Sequence, residues 1–270
     1  FLIFGAGKIA RGFLGHLLFL AGRDFAFVEE NENFVDLLRE RVRYTVNVLG
    51  APEKTASVAG WRVCALRDTA SIEHEARNAE VIFTAVGGKN LEALAPAIHL
   101  ALKAAGGQMV NVVTCENWKN PASLLREAVA SIGPCPRAGF AESVVMRSAI
   151  EPDPAQRQID PLWVNVQDYW RLPVDADGLL APLPEVPGLE PTRNFAGFLE
   201  RKFYTYNAAN GTVSYLGALL GLTYIAQAAR DPRVSDVLER VYIETGTALA
   251  RKYGIPLAEQ MEFAATSRAK

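Results

Sequence analysis

Two sets of residues in this 270-residue chain have the types and spacing to do chemistry. The first is Gly5-Ala6-Gly7-Lys8-Ile9-Ala10, which follows the apolar run Phe1-Leu2-Ile3-Phe4 and fits the pattern G-x-G-x-x-G/A. Glycines at a strand-to-helix corner let the backbone turn tightly. They also let a phosphate approach the N–H groups of Gly5, Ala6, Gly7, Lys8 and Ile9. Glu29 ends the next strand-like run, Asp24-Phe25-Ala26-Phe27-Val28, about twenty residues further on. A carboxylate there can accept both ribose hydroxyls of an adenosine and repels a 2′-phosphate, so the set favours NAD over NADP. A tight turn in some other α/β protein, with Glu29 and Glu30 solvated, is the competing explanation. Strand, corner, helix, strand and acid in that order favour the cofactor.

The second set is Glu200-Arg201-Lys202, followed by Asn207 and Asn210. Hydride transfer requires a base for the alcohol proton and donors for the developing alkoxide. On one helix, positions 202, 207 and 210 span an arc of about 140° and can face one cleft. A lysine flanked by apolar surface has a lowered pKa, which suits a base near neutral pH. Asn207 would donate a hydrogen bond to the substrate oxygen. Spacing alone favours a plainer picture, with Lys202 a solvated helix-end charge and both asparagines hydrogen-bonded in a core.

The elements that must position these residues read as an alternation of strands and helices over the first 130 residues, hence a parallel sheet. Ile9, Phe13, Leu17 and Leu20 mark the first helix, and Asn31 caps a second carrying Phe34, Val35, Leu37 and Leu38. Tyr44 to Val48, Trp61 to Leu66, Glu80 to Val86 and Met109 to Thr114 read as strands, and Ala51 to Gly60 as a polar connection. A short helix is expected from Ser71 to Asn78. A longer one is expected over Leu91, Leu94, Ala95, Ile98 and Leu102, closed by Gly106-Gly107. Ligands lie past the carboxyl ends of strands in doubly wound sheets. Thr84 to Gly88, with Ala85 and Val86 as the cofactor contacts, therefore border the nicotinamide side, and Glu116 and Asn117 line the same cleft unless Asn117 simply caps a helix.

Further on, Leu162 to Val166 suggests another strand, and the five prolines from Leu172 to Pro191, with no periodic element, place the domain boundary there. This divides the chain into residues 1–190 and a helical part, 191–270. The run from Phe203 to Ala229 has no Asp, Glu, Lys or Arg, yet its asparagines, glycines and hydroxyls argue for a helix buried in a large core rather than a membrane span. Asp231-Pro232 starts a helix whose apolar face is Val234, Val237, Leu238, Val241, Tyr242, Thr245 and Leu249.

Half the residues are apolar, and the net charge of −2 leaves no footprint for nucleic acid or an acidic membrane. Cys64, Cys115 and Cys135 lie far apart and odd in number, as expected of a reduced, cytoplasmic chain with buried thiols. No histidine has metal-ligand spacing with a carboxylate or thiolate, so no metal is expected. His16 is placed near the pyrophosphate, in a structural or a ligand role; His74 is expected to be exposed, and His99 a satisfied core or boundary residue. Arg137, Arg147, Arg193 and Arg201 are equally plausible as anion partners and as surface charges. The chain starts inside a strand, and the run Ala264 to Lys270 stops without a terminating element, so both ends are expected to be truncated.

Gly5 to His16, Phe27-Val28-Glu29, Thr84-Ala85-Val86-Gly87, Cys115-Glu116-Asn117 and Glu200 to Asn207 together resemble the mannitol dehydrogenase family of polyol-specific long-chain dehydrogenases, over essentially the whole chain. The resemblance implies an α/β fold: an N-terminal Rossmann-type doubly wound sheet with a mostly α-helical C-terminal domain like that of 6-phosphogluconate dehydrogenase. It implies zinc-independent, NAD-dependent interconversion of a polyol or polyol phosphate and its ketose, foremost mannitol 1-phosphate and fructose 6-phosphate. The expected partner is that small-molecule polyol or sugar phosphate, with no nucleic acid and no membrane, in a monomer or homodimer. In the family signature K-x4-N-x2-H, the lysine matching Lys202 is the general base and the asparagine matching Asn207 holds the substrate oxygen. The histidine position is taken by Asn210. In G-F-P-N-x-x-V-D-R, the asparagine of the oxyanion contact is replaced by Glu142, and Pro and Asp by Ala141 and Met146. These departures keep two alternatives open: a dehydrogenase for another polyol or sugar acid, and an NAD-binding sensor that has lost turnover. A third, binding of FAD by Gly5 to Gly12, lacks a second flavin motif.

Overall fold

Side-chain alternation builds the main sheet. In the first strand Leu2 and Phe4 enter one apolar cluster and Ile3 the other, and all three are fully buried. A strand covered on both faces is the mark of a parallel sheet with helices on either side. The computed structural model describes residues 1–268. Its strands are β1 (Leu2–Phe4), β2 (Ala26–Glu29), β3 (Arg43–Leu49), β4 (Ala56–Ala59), β5 (Arg62–Ala65), β6 (Val81–Thr84), β7 (Val110–Thr114), β8 (Ala138–Glu142), β9 (Ala149–Ile150), β10 (Val164–Gln167), β11 (Leu172–Asp175) and β12 (Leu189–Thr192). Its α-helices are α1 (His16–Leu20), α2 (Glu32–Glu40), α3 (Thr69–Ala76), α4 (Ala95–Ala104), α5 (Pro121–Ile132), α6 (Pro154–Ile159), α7 (Phe195–Lys202), α8 (Ala208–Leu219), α9 (Ile225–Arg230), α10 (Pro232–Tyr253) and α11 (Leu257–Arg268). Two compact units result, Phe1–Arg193 and Asn194–Lys270.

The main sheet runs β5-β2-β1-β6-β7-β8, with every neighbouring pair parallel. This is the doubly wound, Rossmann-type order, in which the chain reverses direction across the sheet next to β1 and leaves a crevice at the strand carboxyl ends. Local signals set the helices. Asn31 accepts the Phe34 N–H at 3.2 Å to cap α2, and Gly106, at φ +66°, follows α4.

Part of the chain departs from the expected alternation. β3 does not join the main sheet; it forms a second one, ordered β4-β3-β10-β9. Its residues alternate between buried Tyr44, Val46 and Val48 and more exposed neighbours, the pattern of a strand covered on one face. The expected polar connection from Ala51 to Gly60 contains β4, paired antiparallel with β3. The proline-rich stretch expected to lack regular elements carries β11 and β12, a parallel pair whose Leu172, Val174 and Leu189 enter the first unit's core.

The first helix begins at Lys8 but is π-helical over Ala10–Gly15 before it becomes α1. Side chains take two of its carbonyls: the Tyr44 hydroxyl donates to Arg11 O at 3.0 Å, and Arg147 Nη1 donates to Gly12 O at 3.1 Å. Gly12 packs so tightly on β10 that a Cβ there would lie 2.7 Å from Val164. Phe13 and Leu17 face the core as expected, but Leu20 is exposed.

In the second unit the uncharged run from Phe203 to Ala229 is not one buried helix. It comprises a π-helical turn, Phe203–Asn207, then α8, a break at Gly221 (φ +71°) and α9. Its buried residues are a stripe of mostly small side chains, Thr205, Ala209, Val213 and Gly217, then Ala228. Tyr215 and Leu219 are 81% exposed. Lack of charge marked the run, but only one narrow face of it packs. α10 starts as expected, with Asp231 accepting the Arg233 N–H at 3.0 Å, and buries Val234, Leu238, Tyr242 and Leu249. Ala264 to Arg268 lie at the end of α11; the remainder of the run expected to lack a terminating element, Ala269 and Lys270, lies outside the described residues. Among the described residues no helix is long and apolar enough to cross a membrane.

Candidate functional site

The glycine corner is built as its sequence requires. Gly5 lies at φ +93°, its N–H donates to Val28 O at 2.7 Å, and a Cβ there would fall 2.6 Å from Ala85 O. A side chain would be both strained and obstructed. A Cβ on Gly7 would meet nothing within 4 Å, because Gly7 opens onto a cavity of about 470 Å³. The Arg11 N–H reaches back to Gly7 O at 3.0 Å, so the N–H groups of Lys8 and Ile9 precede the ladder of the helix, where an anion is favoured. Ala10, at the third position of the fingerprint, is fully buried.

Glu29 ends β2 beside this corner. Its Oε2 accepts the Ala6 N–H and its Oε1 the Asn31 N–H, both at 2.9 Å. The carboxylate is thereby fixed in place, and it lines the same cavity as Gly7, Lys8 and Arg11. A carboxylate has about four acceptor positions, so two N–H donors leave capacity for hydroxyls.

A second cavity, of about 390 Å³, lies at the carboxyl ends of β6 and β7 and is lined by Ile9, Ala85, Glu116 and Asn117 among others. Glu116 is buried; it accepts the Thr84 hydroxyl at 2.8 Å and the Val86 N–H at 3.1 Å. Burial pushes its pKa up, against these hydrogen bonds. Val86 thus acts through its backbone, as an anchor for Glu116. Asn117 is exposed at the cavity and does not cap a helix, since α5 is preceded by Asn120. The expected cofactor residues, from Gly5 to Asn117, therefore gather around two neighbouring cavities of the first unit.

Lys202, Asn207 and Asn210 belong to the second unit. Lys202 is the last residue of α7 and is buried, and desolvation lowers its pKa. It is not the solvated helix-end charge that spacing alone favoured, whereas Asn207 and Asn210 are exposed rather than packed in a core. The π-helical turn carries Ala208 N–H back to Phe203 O, five residues, so positions 202 and 207 come closer to one face than on a regular helix. Glu200 and Arg201 hold the helices together: Glu200 accepts Lys252 Nζ at 2.7 Å, and Arg201 pairs with Glu259 at 2.9 Å.

Several residues have roles their sequence context hid. Arg147, weighed as a surface charge, is 1% exposed. Its Nε donates to Gln167 O at 2.9 Å, and its guanidinium stacks 4.3 Å from the Trp170 ring. Its Nη1 lies 3.3 Å from His16 Nδ1; because arginine cannot accept, Nδ1 must, so His16 carries its proton on Nε2. His16 is fully buried and its pKa is lowered to about 3 by burial and by Arg147. It has a structural role. His99 Nε2 is buried without a hydrogen-bond partner, contrary to the expectation of a satisfied residue. Glu142 ends β8 half-buried; burial and Asp175, which the antiparallel bridge Ser143–Val174 places opposite, push its pKa up. The segment Val145 to Ala149 lines the second cavity, and Glu151 and Arg157 line the first. Only the motif that ends at Met146-Arg147 offered any signal for them. Among the described residues no three His, Cys, Asp or Glu side chains gather as metal ligands would.

The family model of the mannitol dehydrogenase Rossmann domain matches residues 1–188. The chain belongs to the mannitol dehydrogenase family. Within that family it is 32% identical over 261 residues to a mannitol-1-phosphate 5-dehydrogenase of Brevibacillus brevis, covering 93% of this chain and 67% of the relative. Two solved structures share its fold. One is D-sorbitol dehydrogenase in substrate-free form, with TM-score 0.80 and 14% identity, covering 99% of this chain and 68% of that one. The other is Pseudomonas fluorescens mannitol 2-dehydrogenase in a ternary complex with NAD and D-mannitol, with TM-score 0.72 and 15% identity, covering 99% and 67%.

Proposed function

We propose that this member of the mannitol dehydrogenase family is an NAD-dependent polyol dehydrogenase whose substrate pair is mannitol 1-phosphate and fructose 6-phosphate. The observation that carries the cofactor is the fixed Glu29 carboxylate beside the open Gly7. The residues fit a dinucleotide: the corner supplies N–H groups for phosphates, Glu29 acceptors for the ribose, and the cavity with Ala85, Glu116 and Asn117 room for the nicotinamide end. When bound, NAD supplies the hydride acceptor. Lys202, its ammonium disfavoured by burial, takes the proton of the substrate hydroxyl. Asn207 donates an amide N–H to the same oxygen, and Asn210 orients a neighbouring hydroxyl. Glu142 takes the motif position of the asparagine of the family's oxyanion contact, and burial and Asp175 favour its neutral form, which spares a developing alkoxide an opposing charge.

The phosphorylated substrate is supported by the relative of 32% identity. The test is to mix the protein with NADH and, separately, fructose 6-phosphate, fructose and related keto sugars, following absorbance of the reduced cofactor. Turnover with fructose 6-phosphate is expected. Turnover with another ketose alone would change the substrate, and NADH binding without any turnover would favour the sensor.

A further inference from the structure

After β8 the chain passes both cavities of the first unit: Val145 to Ala149 line one, Glu151 and Pro152 the other. At Glu151 it reaches back to the glycine corner. The Glu151 carboxylate lies 2.5 Å from Lys8 Nζ and 3.5 Å from Arg157 Nη2. Its backbone is held. Glu151 O accepts Asn165 Nδ2 at 3.4 Å, Pro152 is buried, and α6 begins just beyond with a reciprocal cap between Asp153 and Gln156. Lys8 keeps the Glu151 carboxyl below its ordinary range, so it is ionised at neutral pH. Lys8 is also the first residue of the helix whose N-terminus would receive the cofactor's phosphates. The protein's own anion therefore already occupies a cation at the first turn of that helix.

We propose that Glu151 is an internal counter-ion of Lys8 that competes with the diphosphate of the dinucleotide, so that binding transfers Lys8 from carboxylate to phosphate. This rests on the dinucleotide reading given above. The competition weakens binding of every phosphate-bearing adenine ligand and leaves uncharged adenosine unaffected. The other charges at this cavity are Arg11, Glu29 and Arg157, the last of which touches Glu151 more distantly than Lys8 does. The pair is half-exposed, so its effect is modest and falls with salt.

The test is Glu151→Gln in the full chain, with thermal unfolding as a folding control. NADH is titrated by fluorescence, and ADP-ribose and adenosine by calorimetry, at low and at physiological salt. The expected result is a Kd about two- to five-fold lower for NADH and ADP-ribose at low salt, shrinking as salt rises, with adenosine unchanged. In a Lys8→Ala background the gain should be much smaller. Unchanged or weaker NADH binding, an equal gain for adenosine, or an undiminished gain without Lys8 would each overturn the proposal. If the unsubstituted protein binds neither NADH nor ADP-ribose, the dinucleotide reading itself fails. Normal NADH binding with no response to Glu151→Gln removes the counter-ion role alone.

Discussion

Glu29→Gln separates the two tasks this carboxylate performs. Its oxygens accept two backbone N–H groups, from Ala6 and Asn31, each at 2.9 Å. A glutamine keeps one acceptor and turns an NH2 donor toward the other N–H. A hydrogen bond to a charged group contributes about 1.5–3 kcal/mol where it is buried. Water can reach part of this site, so the loss should be nearer 1 kcal/mol, or about 2–4 °C of melting temperature in a domain of this size. The second task is discrimination. Removing the negative charge removes its repulsion of a 2′-phosphate, about 1–2 kcal/mol at a partly exposed site, or roughly a ten-fold change in the ratio of NADPH to NADH affinity. Fluorescence titration with both cofactors, alongside thermal unfolding, reads both effects. A lower melting temperature with an unmoved cofactor ratio would refute the ribose assignment and leave Glu29 as a strut of the corner.

Further predictions concern the remaining side chains. Lys202→Met should lower kcat for polyol oxidation about 10²–10⁴-fold while NADH binding persists. In the unsubstituted enzyme that rate should rise with pH and level off above the lowered pKa of Lys202, at a pH below that of an ordinary lysine. Gly5→Ala should lower stability by about 1–3 kcal/mol from backbone strain alone, whereas Gly7→Ala, whose Cβ has room, should leave the melting temperature within about 2 °C yet weaken NADH binding. His16 is neutral in the fold down to about pH 3, but protonates near 6.5 when unfolded. Its contribution to stability is thus complete above that range and is lost at about 1.4 kcal/mol per pH unit on acidification. Chemical denaturation between pH 7 and 4 should show this slope reduced in His16→Gln.

What the sequence disclosed was local. The first strand, its glycine corner and Glu29 lie within thirty residues and each has a short-range physical reason, so their arrangement could be read directly. The alternation of β3 was equally visible, but its partner β10 lies over a hundred residues away, and periodicity does not say which sheet a strand joins. Arg147 illustrates the same limit. Its charge suggested solvent, yet Gly12 O, Gln167 O and the Trp170 ring, from two distant stretches of the chain, surround it. The uncharged run misled for a different reason. Composition reports what a helix lacks, and burial is decided by which face meets a neighbour.

The π-helical turn after Lys202 has a consequence for the history and the engineering of such chains. A π turn amounts to one extra residue accommodated without breaking the helix. Each residue advances an α-helix by about 100°, so residues beyond the turn are offset by that angle from where an unbroken α-helix of the same length would place them. Deleting one residue between Phe203 and Tyr206 would restore an unbroken α-helix and cost little in helical structure. It would leave Asn207 and Asn210 close to their present alignment with Lys202, because a pair five residues apart across the π turn becomes a pair four apart on an α-helix; forcing the same length of chain into an α-helix is what would rotate them away, by about 100°. In this region a deletion that removes the turn and a substitution that merely regularises it therefore have opposite consequences, and a variant of unchanged length can gain helical regularity as it loses the alignment.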